Sequence, residues 1–220
     1  ALNSGVLISD EYVPGNITIG EDKYKVKMRL KGDLTDHLEG NKWSFRIKVK
    51  GENTIFGMKQ FSIHHPKARN NIYEYVFHKF LKKEGLVALR YKFVKVILNG
   101  ENLGIYAVEE HFEKRLVEHN NRKSGPLIRF NEELYWERFK IQSESEKYSF
   151  DYGRILSSNI DAFKTNDILT DSIEFQNFSK AMSLLESFRM GKKSTSEIFD
   201  IELLSAFYAM IDLFGANHSL

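Results

Sequence analysis

Between Lys23 and Lys50 the chain carries nine lysines and arginines against three acids, Asp33, Asp36 and Glu39. Cations gathered this way suit an anionic group, because arginine offers forked donors and lysine a point charge to phosphate oxygens. Arg29, Lys31, Lys42, Arg46 and Lys48 are the candidates to line such a cleft. The competing reading is a solvated sheet face, or an edge guarded by lysines. Other chemistry is sparser. His64 and His65 form the one adjacent histidine pair, but neighbours on a strand point to opposite faces, which disfavours a shared metal ion. The chain has no cysteine, so thiolate catalysis, zinc ribbons, iron–sulfur clusters and disulfide frameworks are excluded. The common phosphate-loop, dinucleotide, zinc-protease and serine-hydrolase signatures are absent.

The elements that must position these residues follow from periodicity. Tyr24, Val26, Met28 and Leu30 alternate with Lys25, Lys27, Arg29 and Lys31, the period of a strand with one wet face. Trp43, Phe45, Ile47 and Val49 alternate with Ser44, Arg46, Lys48 and Lys50 in the same way, so the two runs are expected to pair. After a short strand at Phe61–Ile63, Pro66 is placed to open a helix running to about Glu84, closed by Gly85. Ile72, Tyr73, Val76, Phe77, Phe80 and Leu81 form its apolar stripe, with Glu74 at the border. Tyr91–Leu98 and Leu103–Val108 flank Asn99-Gly100-Glu101-Asn102 and read as a hairpin, since Asn-Gly supplies the positive φ that tight turns demand. A helix is expected at about 113–118, a strand at about 126–130, and helices at about 172–190 and 195–214, the last introduced by a capping box from Ser194 to Glu197 and ended by Gly215. Residues 132–170 are polar and weakly periodic and have no assigned place.

A basic strand, a helix with a glutamate at its edge, a hairpin, a short connection and a helix is the order of elements in the small lobe of a protein kinase. There a strand lysine pairs with a glutamate on the following helix. Arg46 or Lys48 with Glu74 is the expected pair; a plain surface acid is the other reading of Glu74. Arg29-Leu-Lys-Gly32, Lys42-Trp-Ser-Phe-Arg-Ile-Lys48, Arg69-Asn70 and the block from Asn99-Gly100 through Gly104-Ile-Tyr106 to Glu109-Glu110 resemble the CotH family of spore-coat and secreted kinase-like proteins. The resemblance is fullest over about residues 20–131.

That resemblance implies an α+β, protein-kinase-like fold: an N-terminal antiparallel sheet with one packed helix over 1–111, then a mainly helical, partial large lobe over 112–220 with 132–170 as an insertion. It implies binding of ATP with Mg²⁺ or Mn²⁺ and phosphate transfer to protein, with the basic residues of the second strand at the phosphates and Glu109, Glu110 and His111 beside the adenine. The family's metal-binding and catalytic acids would fall from Asp212 to Asn217 and onward, so Asp212 and Asn217 are the catalytic candidates and the domain reads as continuing past Leu220. The start, Ala-Leu-Asn-Ser-Gly, reads as a trimmed end. A noncatalytic scaffold of the same fold, assembling with coat or cell-surface proteins, stays open beside the enzyme.

Composition narrows the partners. With 32 basic and 30 acidic residues the net charge is +2, too small for bulk attraction to nucleic acid or membrane. Carbohydrate or nucleic-acid binding by the basic sheet is the weakest alternative. No apolar run approaches the roughly 18 residues of a membrane span. Length, at 220 residues, suffices for a core without disulfides or structural metal.

Overall fold

The computed structural model describes residues 11–32, 38, 40–123, 125–131, 158–163 and 165–216. It is an α+β structure built on a six-stranded antiparallel sheet. The strands are β1 (Val13–Ile19), β2 (Asp22–Leu30), β3 (Phe45–Val49), β4 (Gln60–His64), β5 (Tyr91–Leu98) and β6 (Glu101–Glu110), in the order β1-β2-β3-β4-β6-β5. Strands β2, β3 and β4 obey the alternation of their sequences, and β5–β6 is the Asn-Gly hairpin, with Asn99 at φ 52° and Gly100 at φ 88°. Strand β1 is an addition to the sequence reading. It carries Pro14 and Gly15, both tolerated because β1 is an edge strand.

One face of the sheet is apolar. Val26, Ile47, Val49, Phe61 and Val108 are buried there under Ile55 and Met58, which close a tight turn. The other face carries the odd-numbered cations of β2 and receives helix α1 (Tyr73–Lys83), which lies over the β5 side through the ring pairs Tyr75–Phe93 and His78–Tyr91.

The helix expected from Pro66 to Glu84 is two pieces. Pro66 does open a helical turn, of 3-10 type over Pro66–Arg69, and His65 caps it by accepting from the Lys67 N–H. Asn70 and Asn71 then adopt φ of 50° and 61°, which breaks the run before α1 restarts. The expected stripe is also shifted. Ile72 and Tyr73 precede or begin α1 and are exposed, whereas Phe77, His78 and Leu81 are buried.

Beyond the sheet come α2 (Lys114–His119), a small hairpin-like pair β7 (Ile128–Phe130) with β8 (Ile160–Ala162), α3 (Thr165–Thr170), α4 (Ser172–Arg189), α5 (Thr195–Ile198) and α6 (Ile201–Phe214). The capping box at Ser194 and Glu197 forms as the sequence suggests, but it opens only α5. Phe199 is extended, and Asp200 caps α6 afresh by accepting from the Leu203 N–H. Helix α6 packs on α1 through Ile211, Phe207 and Phe214 against Phe77, Leu81, Leu86 and Ala88. Of the stretch 132–170, β8 and α3 are described; residues 132–157 and 164 lie outside the described residues. Among the described residues no helix is long and apolar enough to cross a membrane.

Candidate functional site

Register places five residues in one row across the sheet: Arg29 faces Arg46, Arg46 faces Ser62, Ser62 faces Glu109, and Glu109 faces Tyr91. Facing residues share a side of a sheet, so this row lies on the basic face under α1. One row further along, Lys31 joins through its backbone N–H to the Ser44 carbonyl at 2.9 Å, and His64 faces Ala107. The row ends in a cleft of ≈ 770 Å³ walled by Arg69, Glu74, Phe77, Glu109, Phe112 and Phe207 among others.

A lysine–glutamate pair is present, but it joins Lys31 to a glutamate of β6 and not to the expected helix glutamate. Lys31 Nζ donates to both carboxylate oxygens of Glu109, at 2.9 and 3.0 Å. Lys31 is buried and Glu109 nearly so. Burial opposes charge on Glu109, yet Lys31 and His64 outweigh it and hold its carboxyl down at about 2. Burial lowers the Lys31 ammonium, and the facing Glu109 carboxylate offsets part of that. Glu74, the expected partner of Arg46 or Lys48, instead lies 3.2 Å from His78 one helical turn on. It borders the same cleft but looks across it from α1.

Two residues that periodicity did not single out steady the acid. His64 Nδ1 is 3.7 Å from Glu109 Oε2, and its Nε2 is 3.0 Å from the Tyr91 hydroxyl. An ionised carboxylate only accepts, so a proton on His64 Nδ1 faces Glu109 while Nε2 shares a hydrogen bond with the Tyr91 hydroxyl. Burial, then Glu109, pushes the Tyr91 hydroxyl above its ordinary range, which keeps it a donor.

The remaining candidates separate. Arg46 is half-buried beside this pair, and its charge reaches both Lys31 and His111. Lys48 is exposed, with Nζ 4.4 Å from the Tyr12 ring centre, and Arg29 lies over the same ring at 5.7 Å. His111, whose N–H donates to the Gln60 carbonyl at 3.2 Å, borders the row from the next turn of chain. Burial first, then Arg46, with Lys31 and Lys48 adding, pushes the His111 imidazole down to about 3. A neutral histidine in this place registers the positive potential of the face.

Lys42 and Glu110 fall elsewhere. Lys42 Nζ reaches the Ile105 carbonyl at 3.4 Å, four residues along β6 from Glu109, or roughly 13 Å of strand. Glu110 points to the opposite side of the sheet, as the residue after Glu109 must. There it is buried against the Arg90 guanidinium and accepts the Arg90 N–H at 2.9 Å, a structural role.

The basic row and the Lys31–Glu109 pair span residues 29 to 109, and α6 closes the cleft from beyond residue 200. A family model described as CotH kinase protein matches residues 28–217, which takes in all of these parts. The chain belongs to the CotH kinase family. No curated protein matches it.

Of the two catalytic candidates the CotH resemblance suggested, Asp212 sits exposed on the last turn of α6, and Asn217 lies outside the described residues. Among the described residues no group of three or more His, Asp or Glu side chains could hold a metal ion.

Proposed function

We propose that this CotH chain binds ATP, with its phosphates on the basic row at Lys31, Arg46 and Arg69, and that the complete site passes the terminal phosphoryl group to serine or threonine hydroxyls of a protein. The single observation that carries the reading is the buried Lys31–Glu109 pair, which Arg46 neighbours and whose Glu109 stands on the wall of the cleft. Bound ATP supplies the transferable phosphoryl group. Glu109 and His64 fix Lys31 so that its ammonium meets phosphate oxygens without first losing side-chain freedom. Arg46 and Arg69 add forked donors from β3 and from the turn before α1. Phe77, Leu81, Phe112 and Phe207 offer apolar walls for a flat ring such as adenine. In this arrangement residues 1–111 act as the phosphate-binding lobe, and the helices after 112 close the cleft.

The divalent cation finds no ready site among the described residues.

Thermal shift with millimolar ATP and Mg²⁺ or Mn²⁺ is the direct test. A ligand at ten times its dissociation constant stabilises the native state by about 1.4 kcal/mol. Arg46→Ala should remove most of that shift, and Lys25→Ala, at the far end of β2, should leave it intact. No shift in the parent chain, or equal loss in both variants, would overturn the reading. ATP binding without phosphate incorporation into a protein acceptor would assign the noncatalytic scaffold role in a coat or surface assembly.

A further inference from the structure

A second groove, ≈ 370 Å³, wraps the outer edge of β5 at its start. Helix α1 forms one wall through Tyr75, Lys79 and Lys82, and the turn at 55–58 forms the other through Phe56 and Met58. Arg90 and Lys92 stand between them, with His119 from the end of α2. The groove shares His78, Leu89 and the flank of α1 with the main cleft but opens on the other side of that helix.

Its lining holds cations from α1 and β5 and from Arg90 just before β5, and no carboxylate. Arg90 is already engaged by Glu110 and by the Gly57 carbonyl at 2.9 Å, so it braces the wall. Lys79, Lys82 and Lys92 bring charge that nothing in the lining neutralises. Two of them are steered by rings: Lys92 Nζ lies 3.6 Å from the Phe56 centroid and Lys79 Nζ 5.2 Å from that of Tyr75. Lysines held over aromatic faces are aimed before a ligand arrives. Burial, then Arg90, with Lys82 adding, lowers the His119 imidazole, so the potential is felt across the groove.

The turn that carries Phe56 is strained. Ile55 and Met58 pair through both backbone hydrogen bonds, and the two residues between them take φ of 53° at Phe56 and 77° at Gly57. That turn favours Asn-Gly, and a bulky aromatic at its first central position is an outlier. Gly57, at φ 77°, suits the second central position, and a Cβ there would stand 2.5 Å from Arg90 Nη1 and push that side chain aside. Strain kept at one residue points to a use for its side chain, and here the ring faces the groove.

We propose that this groove binds a phosphomonoester whose organic part is aromatic: the lysines take the phosphate oxygens, and Phe56 and Tyr75 take the ring. The inference is independent of the ATP reading, since it uses none of Lys31, Arg46 or Glu109.

Calorimetric titration of the chain with phenyl phosphate and with inorganic phosphate tests it. Phenyl phosphate should bind more tightly than inorganic phosphate. Lys79→Gln with Lys92→Gln should weaken it by roughly tenfold or more, a decade being ~1.4 kcal/mol. Phe56→Asn should erase the advantage of the ring while leaving the melting temperature unchanged or higher, a result that loss of folding cannot mimic. Arg46→Ala should leave phenyl phosphate binding unchanged even where it abolishes ATP binding. A phosphotyrosine peptide that binds more tightly than phenyl phosphate would assign the group to a protein chain, and equal affinity would assign a small ligand; both support the groove. Absent binding at millimolar phenyl phosphate, or binding that falls with Arg46→Ala and ignores Lys79 and Lys92, would overturn it.

Discussion

Lys31 and Glu109 lie 78 residues apart in the chain, and only the register through β3 and β4 makes them neighbours. The sequence marked both, Lys31 by its strand period and Glu109 by the CotH block, but gave no local sign that they meet; Glu74 was the nearer acid on the following helix. The sequence singled out His64 only as half of a histidine pair and Tyr91 only as the start of a strand; their contact with Glu109's row had no signal, since a hydrogen bond across strands has no periodicity. The pair is a good target because it is poorly hydrated. Lys31→Met leaves a nearly buried carboxylate without its cation and should cost about 3 kcal/mol in urea unfolding. Adding Glu109→Gln should recover much of that loss, and a double variant no better than Lys31→Met would refute the pairing energy. Acid should act on the same row. Between pH 6.5 and about 3 the unfolded chain binds a proton at His111 that the folded chain refuses, so stability falls as pH falls through that window. Glu109 contributes fully above 4.5 and loses its contribution as pH falls toward 2. His111→Asn should therefore flatten the stability profile between pH 6.5 and 4.5, where Glu109 is silent; His65 and His119, also lowered, leave some slope behind. An unchanged profile in that variant would show that His111 is as solvated folded as unfolded.

The elements divide by how local their signals are. The β5–β6 hairpin was legible because Asn99-Gly100 fixes both turn and register, and β2 and β3 because each hides one side, whereas β4 is covered on both, with Phe61, Ser62 and His64 all buried. Strand β1 was not, since Pro14 and Gly15 are allowed only by its place at an edge, which is a property of the sheet. The interruption at Phe199 was half legible: Ser194 and Asp200 are both helix caps, and the second resets the first. The break between the 3-10 turn and α1 matters most for the site, because it leaves Arg69 at the cleft in place of continuing the helix past it. Asn71 holds the break at φ 61° with its N–H on the Pro66 carbonyl at 2.9 Å. Asn71→Ala should cost about 1 kcal/mol, while Asn71→Gly should stay within about half of that, because glycine accepts the left-handed conformation without strain. Urea midpoints at constant slope decide it, and equal tolerance of alanine would mean that the break is imposed from outside the two asparagines.

At the scale of the molecule, the cleft is closed by residues far apart in the chain. Arg69 and Glu74 stand at α1, Leu203 and Phe207 on α6, and the two helices are joined by a core in which Ile211 is 1% exposed. The apolar composition of α6 does not say which helix it covers. That choice rests on complementarity between Phe77, Leu81 and the Ile211 side of α6. Ile211→Ala should therefore cost about 3 kcal/mol, the transfer loss plus the cavity it leaves. Leu213, two residues on and 69% exposed, should lose under about 0.5 kcal/mol when changed to alanine. The cleft gives the same variant a second readout. Loosening α6 from α1 frees the wall that carries Phe207 while leaving Lys31, Arg46 and Glu109 on their strands, so at temperatures where Ile211→Ala remains folded its ATP affinity should fall while Leu213→Ala keeps that of the parent. If Ile211→Ala unfolds earlier yet binds ATP unchanged, α6 supports the fold without shaping the nucleotide site, and the phosphate-binding row of the sheet is sufficient by itself.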